Sequence, residues 1–199
     1  MEEKRNYIVK NPITNKKSAD KILSEVDGIF KDIDLEYFLL FGTVLGFYRD
    51  NGYIIGDDDI DIGIKIYNSE YIKKIIFSFM QHGFQLIQAR GFDPLNLFKY
   101  GMDNTRWLTM QMHLLISARG MVFLSFFKKG TKIDLFFCYK DDKVNRYIVG
   151  DKRSTPIKYL ENFEDLEYNG IKFKVPSPVE DYLRSMYGED WNIPLRKNK

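Results

Sequence analysis

Four of the five residues from Asp57 to Asp61 are acidic, and isoleucines alternate with the last of them. Alternation of apolar and polar residues is typical of a strand that is buried on one face. Asp59 and Asp61 therefore project from the same face of the predicted strand, with α-carbons about 6–7 Å apart. Two carboxylates this close repel one another unless a positive charge compensates them. The pattern predicts a site for a hard divalent cation, Mg²⁺ or Mn²⁺.

A solvated loop is the alternative interpretation of such an Asp-rich stretch. A loop of that kind has no need of the alternating apolar residues Ile60, Ile62 and Ile64, so the strand is favoured.

Asp134 is a second acidic residue inside an apolar predicted strand, 132–139. It is either an ordinary strand residue that faces water or a third ligand beside Asp59 and Asp61. We predict the second arrangement, in which the three carboxylates form one metal site.

Gly42 and Thr43 lie between a predicted buried strand, 37–41, and a short helical turn that reaches Arg49. Glycine lets a phosphate approach the backbone, and the N–H groups at a helix start attract anions. The threonine hydroxyl adds a donor. Arg49 is a candidate bidentate donor to a phosphate oxygen, although a structural ion pair explains it equally well. Gly-Thr followed by Asp-x-Asp therefore predicts a metal site that acts on a phosphate ester.

The elements around these residues are predicted from periodicity and end signals. A helix over 18–32 has Ser18 as its cap, and a second helix begins at 68 or 69 and ends at Gly83. A third helix begins with Ser177 as the cap and Pro178 as the first helical residue, and it stops near Gly188. Strands are predicted over 57–66, 84–89, 122–127 and 132–139, with a small hairpin over 167–173. We find no motif in 91–119.

These elements predict an α+β, or mixed α/β, fold with an open sheet flanked by helices and a small C-terminal hairpin and helix. The chain has 199 residues, and we divide it into a tail, 1–17, and a single catalytic domain, 18–195. The net charge of +2 gives no reason to expect nucleic acid as a partner, and at most peripheral association with a membrane. With Cys138 as its single cysteine and no signal peptide in view, the chain is expected in the cytoplasm.

The segment FGTVLGFYRDNGYIIGDDDIDIGI resembles the signature of the LicD-type, fukutin-like phosphotransferases. The segment 175–194 resembles the C-terminal motif of the same family, with Asp134 between the two. The resemblance implies the nucleotidyltransferase superfold, with its mixed sheet. The family commonly has Pro-Trp before the acidic run, where this chain has Ile55-Gly56, and this change is expected to open or reshape the pocket beside the metal.

The family resemblance implies transfer of a phosphorylated alcohol, such as phosphocholine, phosphoribitol or phosphoglycerol, from a CDP-linked donor to a glycan hydroxyl. Asp59, Asp61 and Asp134 would hold the metal, with Asp134 the third ligand or the base. Gly42, Thr43 and Arg49 would hold donor phosphate. Two alternatives stay open: transfer of a nucleotide from a nucleoside triphosphate to a small molecule, and a non-catalytic ligand-binding domain on the same fold.

Several further residues have two interpretations each. Tyr182, Tyr187 and Trp191 either line the acceptor side of the site or pack the terminal helix down. His82 is explained by its position at a helix end, and a catalytic role for His113 is the less favoured interpretation. Cys138 is predicted to be a small core residue.

Overall fold

The computed structural model describes residues 12–65, 69–91, 121–150 and 153–194. Most of the predicted tail, most of the segment 91–119 and His113 lie outside the described residues. The helices are α1 (Lys16–Asp32), α2 (Phe41–Asp50), α3 (Ser69–Gln81), α4 (Lys158–Glu161) and α5 (Val179–Tyr187). The strands are β1 (Phe38–Leu39), β2 (Asp59–Lys65), β3 (Gln85–Gly91), β4 (Met121–Lys128), β5 (Thr131–Asp141), β6 (Arg146–Val149), β7 (Arg153–Pro156), β8 (Phe163–Tyr168) and β9 (Ile171–Pro176).

The main sheet has the strand order β1-β2-β5-β4-β3, and β6 extends it from β5 and pairs with β7. Strands β2 and β5 run parallel, whereas the other pairs are antiparallel, so the sheet is mixed. Strands β8 and β9 form a separate two-stranded sheet. Helices α1 and α3 pack on each other, α1 also contacts β5, and α2 contacts β2, β8 and α5. The predicted α+β class, with a mixed sheet and flanking helices, is confirmed.

The apolar residues of the alternating segment are fully buried, as the strand interpretation requires: Ile60, Ile62 and Ile64 have no exposed surface. The amphipathic face predicted for the first helix is also buried. Its buried apolar residues are Ala19, Ile22, Leu23, Val26, Ile29 and Phe30. These two elements contribute to one hydrophobic core, which explains why the strand has a fixed register.

Helix α1 begins two residues earlier than predicted, and Ser18 is not its cap. Asn15 is the N-cap, and its side-chain oxygen accepts a hydrogen bond from the Ser18 amide at 3.0 Å. Asparagine and serine are both strong N-cap residues, so the prediction chose the wrong one of two adequate signals.

The apolar stretch 37–41 forms a shorter strand than predicted. Phe38 and Leu39 form the strand pairing with β2. Leu40 is the extended residue before α2, with its amide donating to the Asp61 carbonyl at 3.1 Å, and Phe41 is the first residue of α2. Phe41 has a φ of 45°, in the left-handed region, which turns the chain sharply from strand to helix. Gly42 and Thr43 consequently lie in the first turn of a ten-residue helix rather than in a loop before a short turn.

The C-terminal hairpin and helix are present, and two of their predicted details change. The hairpin is longer than predicted, with Asn169 and Gly170 both at positive φ at its tip, as a tight hairpin turn requires. At the start of α5, Pro178 rather than Ser177 is the N-cap, and its side chain forms no capping hydrogen bond. The Glu164 carboxylate on β8 accepts the amide hydrogen of Val179 instead.

Strands β6 and β7 and helix α4 were not predicted. They are only four residues long each, which is too short for periodicity to reveal them.

In the part of the chain that the structure describes, no helix combines the length and apolar character needed to cross a membrane.

Candidate active site

The three predicted carboxylates come from two neighbouring parallel strands. Asp59 and Asp61 lie on β2, Asp134 lies on β5, and Asp61 is directly opposite Asp134 in the register. One oxygen of each carboxylate lies within 4.8 Å of the others. Asp61 and Asp134 are buried, with 7 % of their surface exposed. The strand pairing therefore brings together residues that are far apart in the chain.

Lys132 supplies a positive charge in direct contact with this cluster, a feature that was not predicted from the sequence. Its ammonium lies 2.8 Å from an Asp59 oxygen, 3.4 Å from an Asp134 oxygen and 3.9 Å from an Asp58 oxygen. Burial alone lowers the pKa of Lys132, but Asp134 and Asp59 outweigh burial and raise the pKa. The signal was available, because residues 132 and 134 of one strand project from the same face.

Negative charge still exceeds positive charge at this site. Burial, followed by the fields of Asp59 and Asp134, raises the pKa of Asp61 well above its ordinary value. Burial is also the main reason why the pKa of Asp134 rises to about 7, although Lys132 lowers it. Several carboxylate oxygens with only partial compensation match the ligand preferences of Mg²⁺ and Mn²⁺. The donor set therefore fits a hard divalent cation.

Gly42 and Thr43 hold Asp61 in place. The Gly42 amide donates to an Asp61 carboxylate oxygen at 3.1 Å, and the Asp61 amide donates to the Thr43 hydroxyl at 2.8 Å. A Cβ atom at residue 42 would lie 2.7 Å from an Asp57 oxygen and 3.4 Å from an Asp61 oxygen. A side chain at residue 42 would therefore displace the Asp57 carboxylate. The role predicted for Gly42 and Thr43 as a phosphate site stays a prediction.

Ser125 on β4 fixes the third carboxylate. Its hydroxyl donates to an Asp134 oxygen at 2.5 Å, and the two residues are partners in the antiparallel pairing of β4 and β5. Ser125 is 1 % exposed. It is the single polar residue in the apolar stretch 122–127, which is the sequence signal that could have identified it.

A cavity of about 570 Å³ opens over the carboxylates. Two arginines that the sequence analysis did not consider, Arg90 and Arg153, line it. Three phenylalanine rings also line the cavity, from Phe41, Phe123 and Phe136. Ile55 and Gly56, the pair noted above in place of Pro-Trp, both line the cavity, and Ile55 is 92 % exposed.

Arg49 is not among the residues that line this cavity. Its guanidinium forms a bidentate ion pair with Asp50, at 2.8 and 2.7 Å, and donates to the carbonyl of Trp191 at 3.1 Å. The structure thus places Arg49 in the ion pair that was the alternative to a phosphate contact.

The aromatic residues of the terminal segment divide between the two interpretations. Tyr182 is buried, and its hydroxyl accepts the Phe41 amide hydrogen at 3.3 Å, so it packs α5 against the start of α2. Trp191 packs near Tyr48, with ring centroids 5.9 Å apart, whereas Tyr187 lines the cavity. Cys138 is buried, as predicted, and the His82 ring contacts the Ser78 carbonyl at the end of α3.

Comparison with known proteins identifies the family of this chain. A family model described as LicD/FKTN/FKRP, nucleotidyltransferase domain, matches residues 34–178. The matched model is that of a nucleotidyltransferase domain, and the chain belongs to the LicD/FKTN/FKRP family. This finding confirms the family resemblance noted in the sequence.

Particular relatives carry the name ribitol-5-phosphate transferase FKTN. The protein of Mus musculus is 28 % identical over 186 residues, which are 91 % of this chain and 34 % of the relative. The protein of Homo sapiens is 26 % identical over 188 residues, with the same coverage of 91 % and 34 %. The chain therefore spans about a third of the length of these relatives.

Among solved structures, the lincosamide antibiotic adenylyltransferase LnuA with lincomycin bound aligns with this chain. The alignment covers 82 % of this chain and 84 % of the LnuA chain. The TM-score of this alignment is 0.49, and the sequence identity is 13 %.

Proposed function

We propose that this chain is a metal-dependent transferase that moves a phosphorylated alcohol from a CDP-linked donor to a hydroxyl of a cell-surface glycan. The transferred group is of the phosphocholine, phosphoribitol or phosphoglycerol type, and the glycan is of the capsule, lipopolysaccharide or teichoic acid type. The observation that carries the proposal is the cluster of Asp59, Asp61 and Asp134, whose oxygens lie within 4.8 Å of one another. Family membership and the name of the fukutin relatives support the choice of reaction.

Asp59, Asp61 and Asp134 are the residues that would hold the ion, Mg²⁺ or Mn²⁺. When bound, such an ion supplies positive charge that neutralises the donor diphosphate as CMP leaves. Phosphoryl transfer depends mainly on positioning and on stabilisation of charge, so the rigidity of the two paired strands matters as much as their carboxylates.

The remaining residues of the site orient the carboxylates and the substrates. Gly42 and Thr43 hold Asp61 by hydrogen bonds, and the Ser125 hydroxyl holds Asp134. Asp134 acts as the third ligand or accepts the proton of the acceptor hydroxyl. Tyr187 is partly exposed at the cavity, where an aromatic ring can pack against a sugar.

We also propose that the protein works in the cytoplasm, where its CDP-linked donor would be available, with at most peripheral association with a membrane. A single buried thiol, Cys138, supports a reducing environment. Nothing in the net charge of +2 favours nucleic acid as a partner.

Thermal unfolding with a panel of donors and Mg²⁺ tests the reaction class, because a ligand that binds the native state raises the melting temperature. We expect CDP-choline, CDP-ribitol or CDP-glycerol to raise it, and mass spectrometry to detect CMP and a modified glycan acceptor. Stabilisation by ATP or CTP alone, with transfer of a nucleotide, would establish the rival nucleotidyltransferase. Binding of a donor without turnover of any acceptor would indicate a ligand-binding domain instead.

Asp59→Asn and Asp61→Asn test the role of the carboxylates directly. We expect each to lower kcat by about 100-fold or more, because charge stabilisation at the reacting phosphate is lost. The fold should persist, since an amide removes repulsion among the acids while keeping their shape. The control is Asp165→Asn on β8, where the carboxylate is exposed and pairs with Lys174. Full activity in D59N and D61N would contradict the proposed mechanism.

A further inference from the structure

Arg153 faces the cavity with its hydrogen-bonding groups available. It is the first residue of β7, and its guanidinium lies 4.2 Å from the centroid of the Phe41 ring. Among the described residues, its side chain forms no hydrogen bond and no ion pair, and its charge acts on Asp61 of the same cavity without direct contact. A guanidinium stacked on a ring keeps the N–H groups of its edge directed outward. Arg153 is thus placed to receive an anion from the cavity.

Arg90, on the edge strand β3, also lies against a phenylalanine ring. Its guanidinium lies 4.4 Å from the centroid of the Phe123 ring, and it lines the same cavity. Arg90 and Phe123 are partners across β3 and β4, and Phe123 and Phe136 are partners across β4 and β5. The strand register therefore places this arginine on the row of residues that contains Phe136, two positions along β5 from Asp134.

One aromatic platform, formed by Phe41, Phe136 and Phe123, supports both arginines. Phe136 contacts each of the other two rings, with centroid distances of 5.1 Å in both pairs. The rings lie at 86° and 57° to Phe136, so the three side chains are interlocked rather than independently mobile. Both guanidinium groups therefore lie against one aromatic platform, and its central ring, Phe136, is on the strand that carries Asp134.

The backbone at Phe41 indicates that this platform is under a functional constraint. Its φ of 45° lies in the left-handed region, which is uncommon for a residue with a bulky side chain. Glycine would adopt this conformation without strain. Residues held in such conformations cluster at functional sites. A glycine at position 41 would have no ring, and Arg153 stacks on the ring of Phe41.

We propose that Arg153 and Arg90 form the anion site that binds the diphosphate of the nucleotide-linked donor. The proposal rests on the proposed function, because it names the residues that hold the donor in that reaction. Asp59, Asp61 and Asp134 repel phosphate oxygens when no cation is bound, and positive groups beside these carboxylates add to the charge that a bound cation would offer a diphosphate. Planar guanidinium groups bind phosphates through paired N–H···O bonds, and the aromatic platform fixes these groups before the ligand arrives.

Calorimetric titration with inorganic pyrophosphate and with CDP, at a fixed Mg²⁺ concentration, tests the site. We expect Arg153→Met and Arg90→Met each to weaken binding of pyrophosphate by about tenfold or more, as loss of a charge-assisted contact implies. Arg153→Lys keeps the charge but loses the planar fork, so it should weaken binding by about threefold or more. Binding of Mg²⁺ alone should not weaken in any of these variants, which also shows that they fold.

Arg146→Met is the matched control. Arg146 lies on the neighbouring strand β6, does not line the cavity, and donates to the hydroxyl and carbonyl of Ser154 at 2.8 and 2.9 Å. We expect its affinity for pyrophosphate to equal that of the wild type. Unchanged affinity in R153M or in R90M would overturn the paired site, as would a wild-type protein that binds neither pyrophosphate nor CDP.

Kinetics with a CDP-linked donor separate this proposal from the proposed function. Turnover by the wild type with an unchanged KM in R153M would refute the anion site and leave the function standing. Pyrophosphate binding that depends on Arg153, in a protein that turns over no CDP-linked donor, would support the anion site and refute the function.

Discussion

Lys132 gives the carboxylate cluster an internal cation. Its ammonium contacts Asp59 and Asp134, and its side chain is 24 % exposed, so water screens these contacts only in part. A tethered ammonium stabilises the acids when no ion is present, and it also lowers the attraction of the site for an added cation. The same residue thus acts on stability and on metal affinity in opposite directions.

Lys132→Met separates the two effects. We expect the free energy of unfolding without metal to fall by about 1–3 kcal/mol, because buried carboxylates lose a charged partner. The rise in melting temperature on addition of Mg²⁺ should be larger than in the wild type, because the site is more negative. Thermal unfolding with and without Mg²⁺, after treatment with a chelator, measures both quantities.

The control for this experiment is Lys140→Met on the same strand. Lys140 forms ion pairs with Asp142 and Glu161 at 3.5 and 3.3 Å, on the exposed surface, where such pairs contribute little. If K132M were as stable as the wild type without metal, and no more responsive to Mg²⁺, the role assigned to this ammonium would be wrong.

Gly42 is a second residue whose effect is local. In Gly42→Ala the new methyl group lies within 2.7 Å of an Asp57 oxygen, which must move. We expect kcat to fall by about 10- to 100-fold, since small displacements of positioned groups are costly. The free energy of unfolding should change by less than about 1 kcal/mol, because the displaced group is the end of a side chain.

Gly28→Ala provides the comparison, because a Cβ at this α1 position meets no atom within 4 Å. It should retain full activity and gain a little helix stability. Full turnover by G42A, measured beside it, would show that the approach of Asp57 and Asp61 to the α2 backbone is unimportant.

Much of the carboxylate cluster could be predicted from the sequence, because alternation with isoleucine indicates a strand, and a strand directs Asp59 and Asp61 to the same side. The presence of Arg90 and Arg153 at the cavity could not be predicted from the sequence. Arg153 lies in a short strand without periodicity, and Arg90 reaches the cavity only through the register of β3, β4 and β5. Arg49 was chosen because it is near the motif in the chain, but the adjacent acidic residue, 50, pairs with it.

At the scale of elements, β2 depends on Gly63 as much as on its acids. Gly63 pairs with Phe38 of β1, and a Cβ at this position would lie 2.3 Å from the Phe38 ring and 2.7 Å from Leu40. Both of these side chains are buried, at 3 % and 0 % exposure. The glycine thus allows the edge strand to close over the strand that carries Asp59 and Asp61.

Gly63→Ala should destabilise the fold by about 1–3 kcal/mol, because the added methyl group overpacks a core that cannot give way. Denaturant unfolding measures the change. The cost should shrink in a Phe38→Ala background, since the two residues are in contact and their effects are coupled. Equal costs in both backgrounds would show that the contact with Phe38 is not the cause.

Helix and strand identities were predictable where the apolar period is long, as in α1, α3 and β5. The ends of the helices were less predictable, because several residues near each end can serve as a cap. At α5 the first amide hydrogen goes to Glu164 of another element, and a sequence pattern that considers only local neighbours cannot reveal that.

At the scale of the whole molecule, one mixed sheet carries the carboxylates on β2 and β5, the serine on β4 and an arginine on β3. Side chains of successive strands thus meet in rows across the sheet, and the register of these four strands sets the distances among the carboxylates, the serine and this arginine. The fold class was predictable from the mixture of elements, whereas these rows were not, because no local pattern specifies which strands become neighbours.

The pairing of β2 with β5 has a consequence for how the protein is made. Everything from α3 to β4 is synthesised between these two strands, so a nascent chain has Asp59 and Asp61 long before it has Asp134. Long-range parallel pairing forms late, after the loop-closure cost has been met. A divalent cation that needs all three carboxylates would therefore bind only after β2 and β5 have paired.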